Sequence, residues 1–234
     1  MPEYSAFGES ALLRYSLPES MKKYQDHYFH KAKQENYPAR SVYKLKEIQK
    51  RFKLFKPGMR VLDLGAAPGS WSLGAAEMIG PAGKVLGLDL KAVSTVFPPN
   101  VTFLQGDIYD PSPEFLAELQ KHAPFHVVMS DMAPNTTGSR STDQARSALL
   151  IEEALGLART CLRPGGHFIV KFFMGPDIQA FAQALRKEFE TVKSFKPNSS
   201  RSESFESFYV GMGFKTLPPH DPGGPARTGT AEDD

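Results

Sequence analysis

The chain has 234 residues, 41% of them hydrophobic and 23% charged, and a formal net charge of +2. That composition suits one globular α/β domain of ordinary size, and no run of eighteen apolar residues is present to make a membrane-spanning helix. The single cysteine, Cys161, excludes an internal disulfide, and the six histidines are scattered, so no Cys/His metal site is expected.

The first twenty residues show no periodicity and are expected to be disordered. They have no basic start leading into an apolar core, and Glu3, Glu9 and Glu19 argue against a presequence, so a cytoplasmic protein is expected. From about Ser20 to Phe55 the pattern is helical: Val42, Leu45, Ile48 and Phe52 form one apolar stripe, with Lys44, Lys46 and Lys50 pointing elsewhere. Pro57-Gly58 ends it. Arg60–Leu64 reads as a first strand, followed by the turn GAAPGS and a helix to about Met78. Lys84–Leu90 is a second strand, Val101–Gln105 a third, Pro113–His122 a helix and Phe125–Ser130 a fourth strand. A long helix from about Thr142 to Leu162 stops at Pro164-Gly165-Gly166, and His167–Phe172 is the fifth strand. Asp177–Glu188 is helical, with Asp177 near its start; Thr191–Lys196 and Ser207–Met212 are two late strands.

Repeated strand–helix units predict an α/β fold, a seven-stranded and mostly parallel sheet with helices on both faces. Two consecutive late strands allow an antiparallel hairpin at one edge. One domain over residues 21–215 is expected, after an N-terminal segment (1–20) and before a Pro-, Gly- and acid-rich tail (216–234) that is expected to be disordered.

Charge is unevenly spread. Residues 1–60 hold thirteen Lys/Arg against six Asp/Glu, a balance of +7, while 216–234 carries one Arg against four acids, −3. Tyr24, Tyr28, Phe29, Tyr37 and Tyr43 are interleaved with the bases. Such a mixture binds phosphates and stacks bases, although a solvated basic helix face has the same composition.

The first strand runs into Gly65-Ala66-Ala67-Pro68-Gly69-Ser70-Trp71. Small residues there let a ligand approach the backbone. The spacing is G-x-x-x-G, not the dinucleotide fingerprint, and suits a nucleoside without a pyrophosphate. Asp89, ending the second strand, is placed to accept ribose hydroxyls, and Asp107, after the third, an adenine amino group. Each follows a strand, which lifts the reading above simple turn chemistry. Trp71 is either a cofactor contact or, as the sole tryptophan, core. Asp131 follows the fourth strand and Lys171 lies at the end of the fifth, where an open parallel sheet puts its ligand crevice.

Several segments together resemble a known family: RSVYKLKEI from Arg40, VLDLGAAPGSWS from Val61, FLQGD from Phe103, MSDMAPN from Met129, PGG at Pro164 through Lys171, and KPNSSR from Lys196 followed by Glu206. These resemble the FtsJ-type ribose 2′-O-methyltransferases, over roughly residues 24–213, and most of all the bacterial type acting on a uridine of large-subunit ribosomal RNA. The resemblance implies a Rossmann-like methyltransferase fold dependent on S-adenosylmethionine, and a catalytic tetrad of Lys44, Asp131, Lys171 and Glu206. It implies cofactor contacts from the loop (Gly65, Ala66, Pro68, Gly69, Trp71) and from Asp89, Asp107 and Asp131. Pro38 stands where the family often has a base, and Ser70 where glycine is common. Glu203 competes with Glu206, but spacing from Ser199-Ser200-Arg201 favours Glu206.

A ribose hydroxyl is a weak nucleophile that must lose its proton near the transition state. Lys171 is the candidate base, or else orients the hydroxyl while the carboxylates hold the lysines. Lys31, Lys33, Arg40, Lys46 and Arg201 are the candidate RNA contacts. The expected partner is ribosomal RNA or the assembled large subunit, with the protein a monomer. Alternatives are 2′-O-methylation of a transfer RNA or an mRNA cap, and a non-catalytic RNA-binding assembly factor. An amino-directed base methyltransferase fits less well, because Ser130-Asp131-Met132-Ala133-Pro134 lacks the Asn/Asp-Pro-Pro-aromatic pattern such enzymes often carry.

Overall fold

The computed structural model describes residues 19–134, 137–175, 178–201 and 204–215, with backbone alone at 19–26 and 140. The expected disorder of residues 1–18 and 216–234 lies outside the described residues, as do Asn135, Asp177, Glu203 and the Tyr24 side chain.

Thirteen elements follow in order among the described residues: α1 (Glu19–Gln34), α2 (Val42–Phe52), β1 (Arg60–Leu64), α3 (Ser70–Ile79), β2 (Lys84–Asp89), β3 (Val101–Gln105), α4 (Pro113–His122), β4 (Phe125–Ser130), α5 (Arg140–Cys161), β5 (Leu162–Phe173), α6 (Ile178–Glu188), β6 (Phe189–Phe195) and β7 (Glu206–Phe214). The strands form one sheet in the order β3-β2-β1-β4-β5-β7-β6. β1 to β5 are mutually parallel, and β7 lies antiparallel to both β5 and β6. The expected hairpin at the edge is present, with β7 inserted between its neighbours. This is the Rossmann-like methyltransferase fold.

Strand residues alternate between two cores. Val61, Val127, Met129, Ile169 and Phe208 pack under α2 and α3; Leu62, Val128, Phe168 and Val170 pack under α4, α5 and α6. Burial on both faces explains why these strands are nearly continuous apolar runs, each large side chain contributing roughly 1.5–3 kcal/mol of transfer free energy.

Two expectations are corrected. Ser20–Phe55 is not one helix: Asn36 takes a left-handed φ of 58°, Pro38 follows, and the chain turns before α2. The apolar stripe of α2 did form, with Val42, Leu45 and Ile48 fully buried. The long helix ends at Cys161, not at the Pro-Gly-Gly. β5 starts at Leu162 and carries Pro164-Gly165-Gly166 as an irregularity beside β4, with register shifting from Phe125↔Leu162 to Val127↔His167. Pro164 needs no ladder donor there. Among the described residues no helix is long and apolar enough to cross a membrane.

Candidate active site

The carboxyl ends of β1, β2, β3 and β4 open onto a cavity of about 560 Å³. Its walls come from the turns that leave those strands. Gly65 begins the first, at φ 79°. A Cβ on Gly65 would stand 2.7 Å from Met132 Cγ and 2.9 Å from Met132 N, so the two turns touch only because this residue has no side chain. Asp89 braces the same turn: Oδ2 accepts from Ala67 N–H at 2.9 Å and Oδ1 from Lys91 N–H at 2.8 Å. Each oxygen keeps a lone pair for a ligand. Asp107 lines the cavity, its Oδ1 accepting from Tyr109 N–H at 3.0 Å. Asp131 closes the far side, and Leu88, Leu90, Ile108 and Leu149 supply apolar wall.

The other loop residues sit differently. Ala66 is buried and Pro68 exposed, its carbonyl accepting from Thr95 Oγ1 at 2.6 Å. Gly69, at φ 108°, caps α3, where a Cβ would meet the Phe97 ring at 2.9 Å. Trp71 does not line the cavity and is only 3% exposed. Its indole donates to the Ser41 carbonyl at 2.9 Å and stacks on Phe208 at 5.5 Å. Of the two readings of Trp71, the structure favours core. It spaces α2 from α3.

Beside the cavity, four ionisable side chains from four elements come together. The parallel register pairs Ser130 with Val170, so the next residues, Asp131 and Lys171, emerge side by side. Lys171 Nζ lies 2.9 Å from Asp131 Oδ1 and also donates to the Asp131 carbonyl. The antiparallel register sets Phe173 opposite Glu206 and Lys171 opposite Phe208. Glu206 thus lies one strand from Lys171, and Lys44, from α2, meets Glu206 Oε1 at 2.5 Å. All four side chains are 8–16% exposed. Buried ion pairs hold geometry more than they add stability. Burial alone pushes the Glu206 carboxyl up. The Lys44 charge and hydrogen bond, the Lys171 charge and a Ser200 hydroxyl outweigh it and hold the group below the usual carboxylate range. The β5–β7 register, which places Lys171 and Glu206 on adjacent strands, brings the two pairs together.

Sequence reasoning gave two neighbours of this site no role. Asp63, in β1, is fully buried, its Oδ2 accepting from Ser72 Oγ at 2.6 Å. Burial pushes its carboxyl up to about 7, against the Ser72 bond, with the charges of Asp131 and Asp89 adding to the rise. An acid inside the apolar run VLDL is the one signal that could have found it. Glu47 holds a distant loop by its backbone, for which no motif exists.

The basic residues divide. Lys46 is drawn in by Glu35 at 3.3 Å and Glu77 at 3.9 Å, and lies 4.5 Å from the Tyr37 ring centroid. Lys31 lies 3.8 Å from Glu35 and 5.0 Å from the Tyr43 ring, with 43% of its side chain exposed. Arg40 is half-buried, and Lys33 and Arg201 are exposed. Lys46 thus helps dock α1 on α2 and α3.

Comparison with known proteins agrees with this architecture. Residues 37–214 match the model of the FtsJ-like methyltransferases. The ribosomal RNA large subunit methyltransferase E of Oleidesulfovibrio alaskensis is 65% identical over 198 residues, 85% of this chain and 96% of that protein. The protein of the same name from Nitratidesulfovibrio vulgaris strain DP4 is 63% identical over 201 residues, 86% of this chain and 98% of that one. Among solved structures, a ribosomal RNA methyltransferase from Plasmodium falciparum superposes with a TM-score of 0.67 at 26% identity, covering 76% of this chain and 98% of that one. On the family match across most of its length, and on relatives alike nearly end to end, the chain belongs to the FtsJ-like methyltransferase family.

Proposed function

We propose that this protein methylates large-subunit ribosomal RNA, transferring a methyl group from S-adenosylmethionine to the 2′-hydroxyl of a uridine ribose in the assembled subunit, in the cytoplasm. The methyltransferase domain is residues 21–215. The observation that carries the reading is the convergence of the Lys171–Asp131 and Lys44–Glu206 pairs next to the cavity that Asp131 lines. The names of the relatives support ribosomal RNA as the substrate.

The cavity fits the cofactor on three counts. Its volume lies within the range of small-molecule sites. Its two spare carboxylates, Asp89 and Asp107, suit the hydroxyls and amino group of an adenosine. Gly65 lets the turns after β1 and β4 close on each other as two of its walls, where a Cβ would collide with Met132. Bound there, S-adenosylmethionine supplies a methyl group on a positively charged sulfur.

The protein's own part is positioning and proton transfer. Asp131 lines the cavity and holds Lys171 through its carboxylate. Lys171 faces the incoming 2′-hydroxyl and, as the neutral amine left once its ammonium has released a proton to water, takes the hydroxyl proton while the oxygen gains the methyl that the sulfur loses. Glu206 fixes Lys44 on the other side, so the hydroxyl oxygen meets two directed nitrogens. Gly65, Ala66, Pro68 and Gly69 shape the cofactor turn, with Trp71 behind it. Lys31, Lys33, Arg40 and Arg201 are assigned to RNA phosphates; Lys46 supports them by docking α1.

The test incubates the protein with methyl-tritiated S-adenosylmethionine and, in parallel, large subunits lacking the modification, free ribosomal RNA and transfer RNA. Label is expected in large subunits, on one uridine ribose as mapped by nucleoside mass spectrometry. Label on a base, or on transfer RNA alone, overturns the reading.

A further inference from the structure

Lys44 and Glu47 lie one turn apart on α2, and both reach the connection between β6 and β7. Lys44 meets its far end, at Glu206. Glu47 meets its near end: Oε2 accepts the backbone N–H of Asn198 at 2.7 Å, and Oε1 that of Ser199 at 2.8 Å. The two amides are consecutive and belong to a turn closed by Ser200 N–H donating to the Pro197 carbonyl at 3.1 Å. Ser199 and Ser200 are buried, 3% and 7% exposed, so the turn packs against the domain. Lys196 Nζ, donating to the Ser204 carbonyl at 2.9 Å, draws the two ends of the connection together.

A carboxylate gripping two amides makes charge-assisted bonds, about twice as strong as neutral ones. Its placement matters more than its strength. Glu206 opens β7 directly after this connection, and Lys44 sits on the helix from which Glu47 reaches out. A change in how α2 meets the turn therefore alters how Lys44 meets Glu206. Glu47 does not line the cofactor cavity.

We propose that Glu47 is a positioning residue for methyl transfer: by fixing Asn198 and Ser199 it sets the Lys44–Glu206 contact, and with it the place of the Lys44 ammonium beside Lys171. This rests on the catalytic reading of the cluster. Misplacement of a reacting group by about 1 Å can slow a reaction about a hundredfold. Glu47→Ala is expected to lower the single-turnover rate on large subunits by about 10–100-fold, leaving cofactor affinity by calorimetry within about twofold of wild type. Glu47→Gln, which keeps one acceptor oxygen, should fall between. A purely structural role would weaken cofactor binding together with the rate.

The deciding measurement repeats Glu47→Ala, or Glu47→Gln should the alanine variant not fold, in a Glu206→Gln background. There the same change should cost little, because the Lys44–Glu206 ion pair it serves is already lost. An undiminished rate in the single variant, or the full loss recurring in the Glu206→Gln background, overturns the proposal. A wild-type protein that labels no RNA sinks the catalytic reading instead, so the two failures are separable.

Discussion

The cofactor cavity and the Lys44–Asp131–Lys171–Glu206 cluster adjoin, yet they are built differently. Each main wall of the cavity is the turn leaving a parallel strand, and its braces are short-range in space and mostly made by backbone: Asp89 to Ala67, Asp107 to Tyr109, Gly65 against Met132. The cluster instead joins two strand ends to a helix that precedes the sheet and to a strand that closes it. A turn-built pocket forms wherever its strands form. A convergent cluster also requires the docking of α2 and the insertion of β7. Asp131 belongs to both, which makes the two regions one site.

The sharpest way to break this comparison is to disable one region and watch the other. Lys171→Ala should lower methyl incorporation by about 10²–10⁴-fold while calorimetric cofactor affinity stays near wild type; near-normal turnover would remove the cluster from the chemistry. Next comes the acid beneath both regions. The Asp63 carboxyl titrates at about 7 in the fold against an ordinary 3.8. Between those values the folded state keeps a proton that the unfolded chain has released, so this group's contribution to stability falls as pH rises from about 4 to 7 and is level above. Asp63→Asn never ionises. Urea unfolding at pH 5 and pH 8 should show the wild type losing roughly 2–3 kcal/mol more than the variant over that interval; parallel slopes would refute the assignment.

The complementary cut is Asp89→Ala. Losing an acceptor that braces the cofactor turn should weaken cofactor binding by about 30–100-fold, with the rate at saturating cofactor largely kept. A collapse of that rate would merge the two regions functionally. The smallest effect belongs to Lys33→Glu, outside both. Removing one phosphate contact should reduce the slope of log affinity against log salt by about 1, measured by filter binding to large subunits. An unchanged slope would move the RNA path off α1.

Legibility in the sequence follows the same division. β1, β3, α4 and β4 match their expected bounds residue for residue, because each is a short apolar or amphipathic segment punctuated by Gly, Pro or Ser. Ser20–Phe55 misled because its amphipathic pattern continues across the break at Asn36 and Pro38. β5 started early because a strand tolerates Pro164-Gly165-Gly166 where a helix cannot. Asp89, Asp107, Asp131 and Lys171 stood out as polar residues at strand ends. Lys44 and Glu206 needed the family resemblance, since nothing local in a helix or an inserted strand announces a partner on another element. Glu47 escaped even that, because it binds backbone amides 151 and 152 positions away, and amides carry no sequence signature. Trp71 was ambiguous for the opposite reason: its motif pointed to the cofactor, while its size and apolarity pointed to the core it occupies.

β7 comes last in the chain yet lies between β5 and β6. Translation proceeds from the amino end, so a nascent chain stopped short of residue 206 already holds every turn that shapes the pocket. It still lacks Glu206 and the strand that joins β6 to the rest of the sheet. The residues that line the pocket and the contact that anchors Lys44 are thus contributed by stretches of chain that lie far apart in sequence.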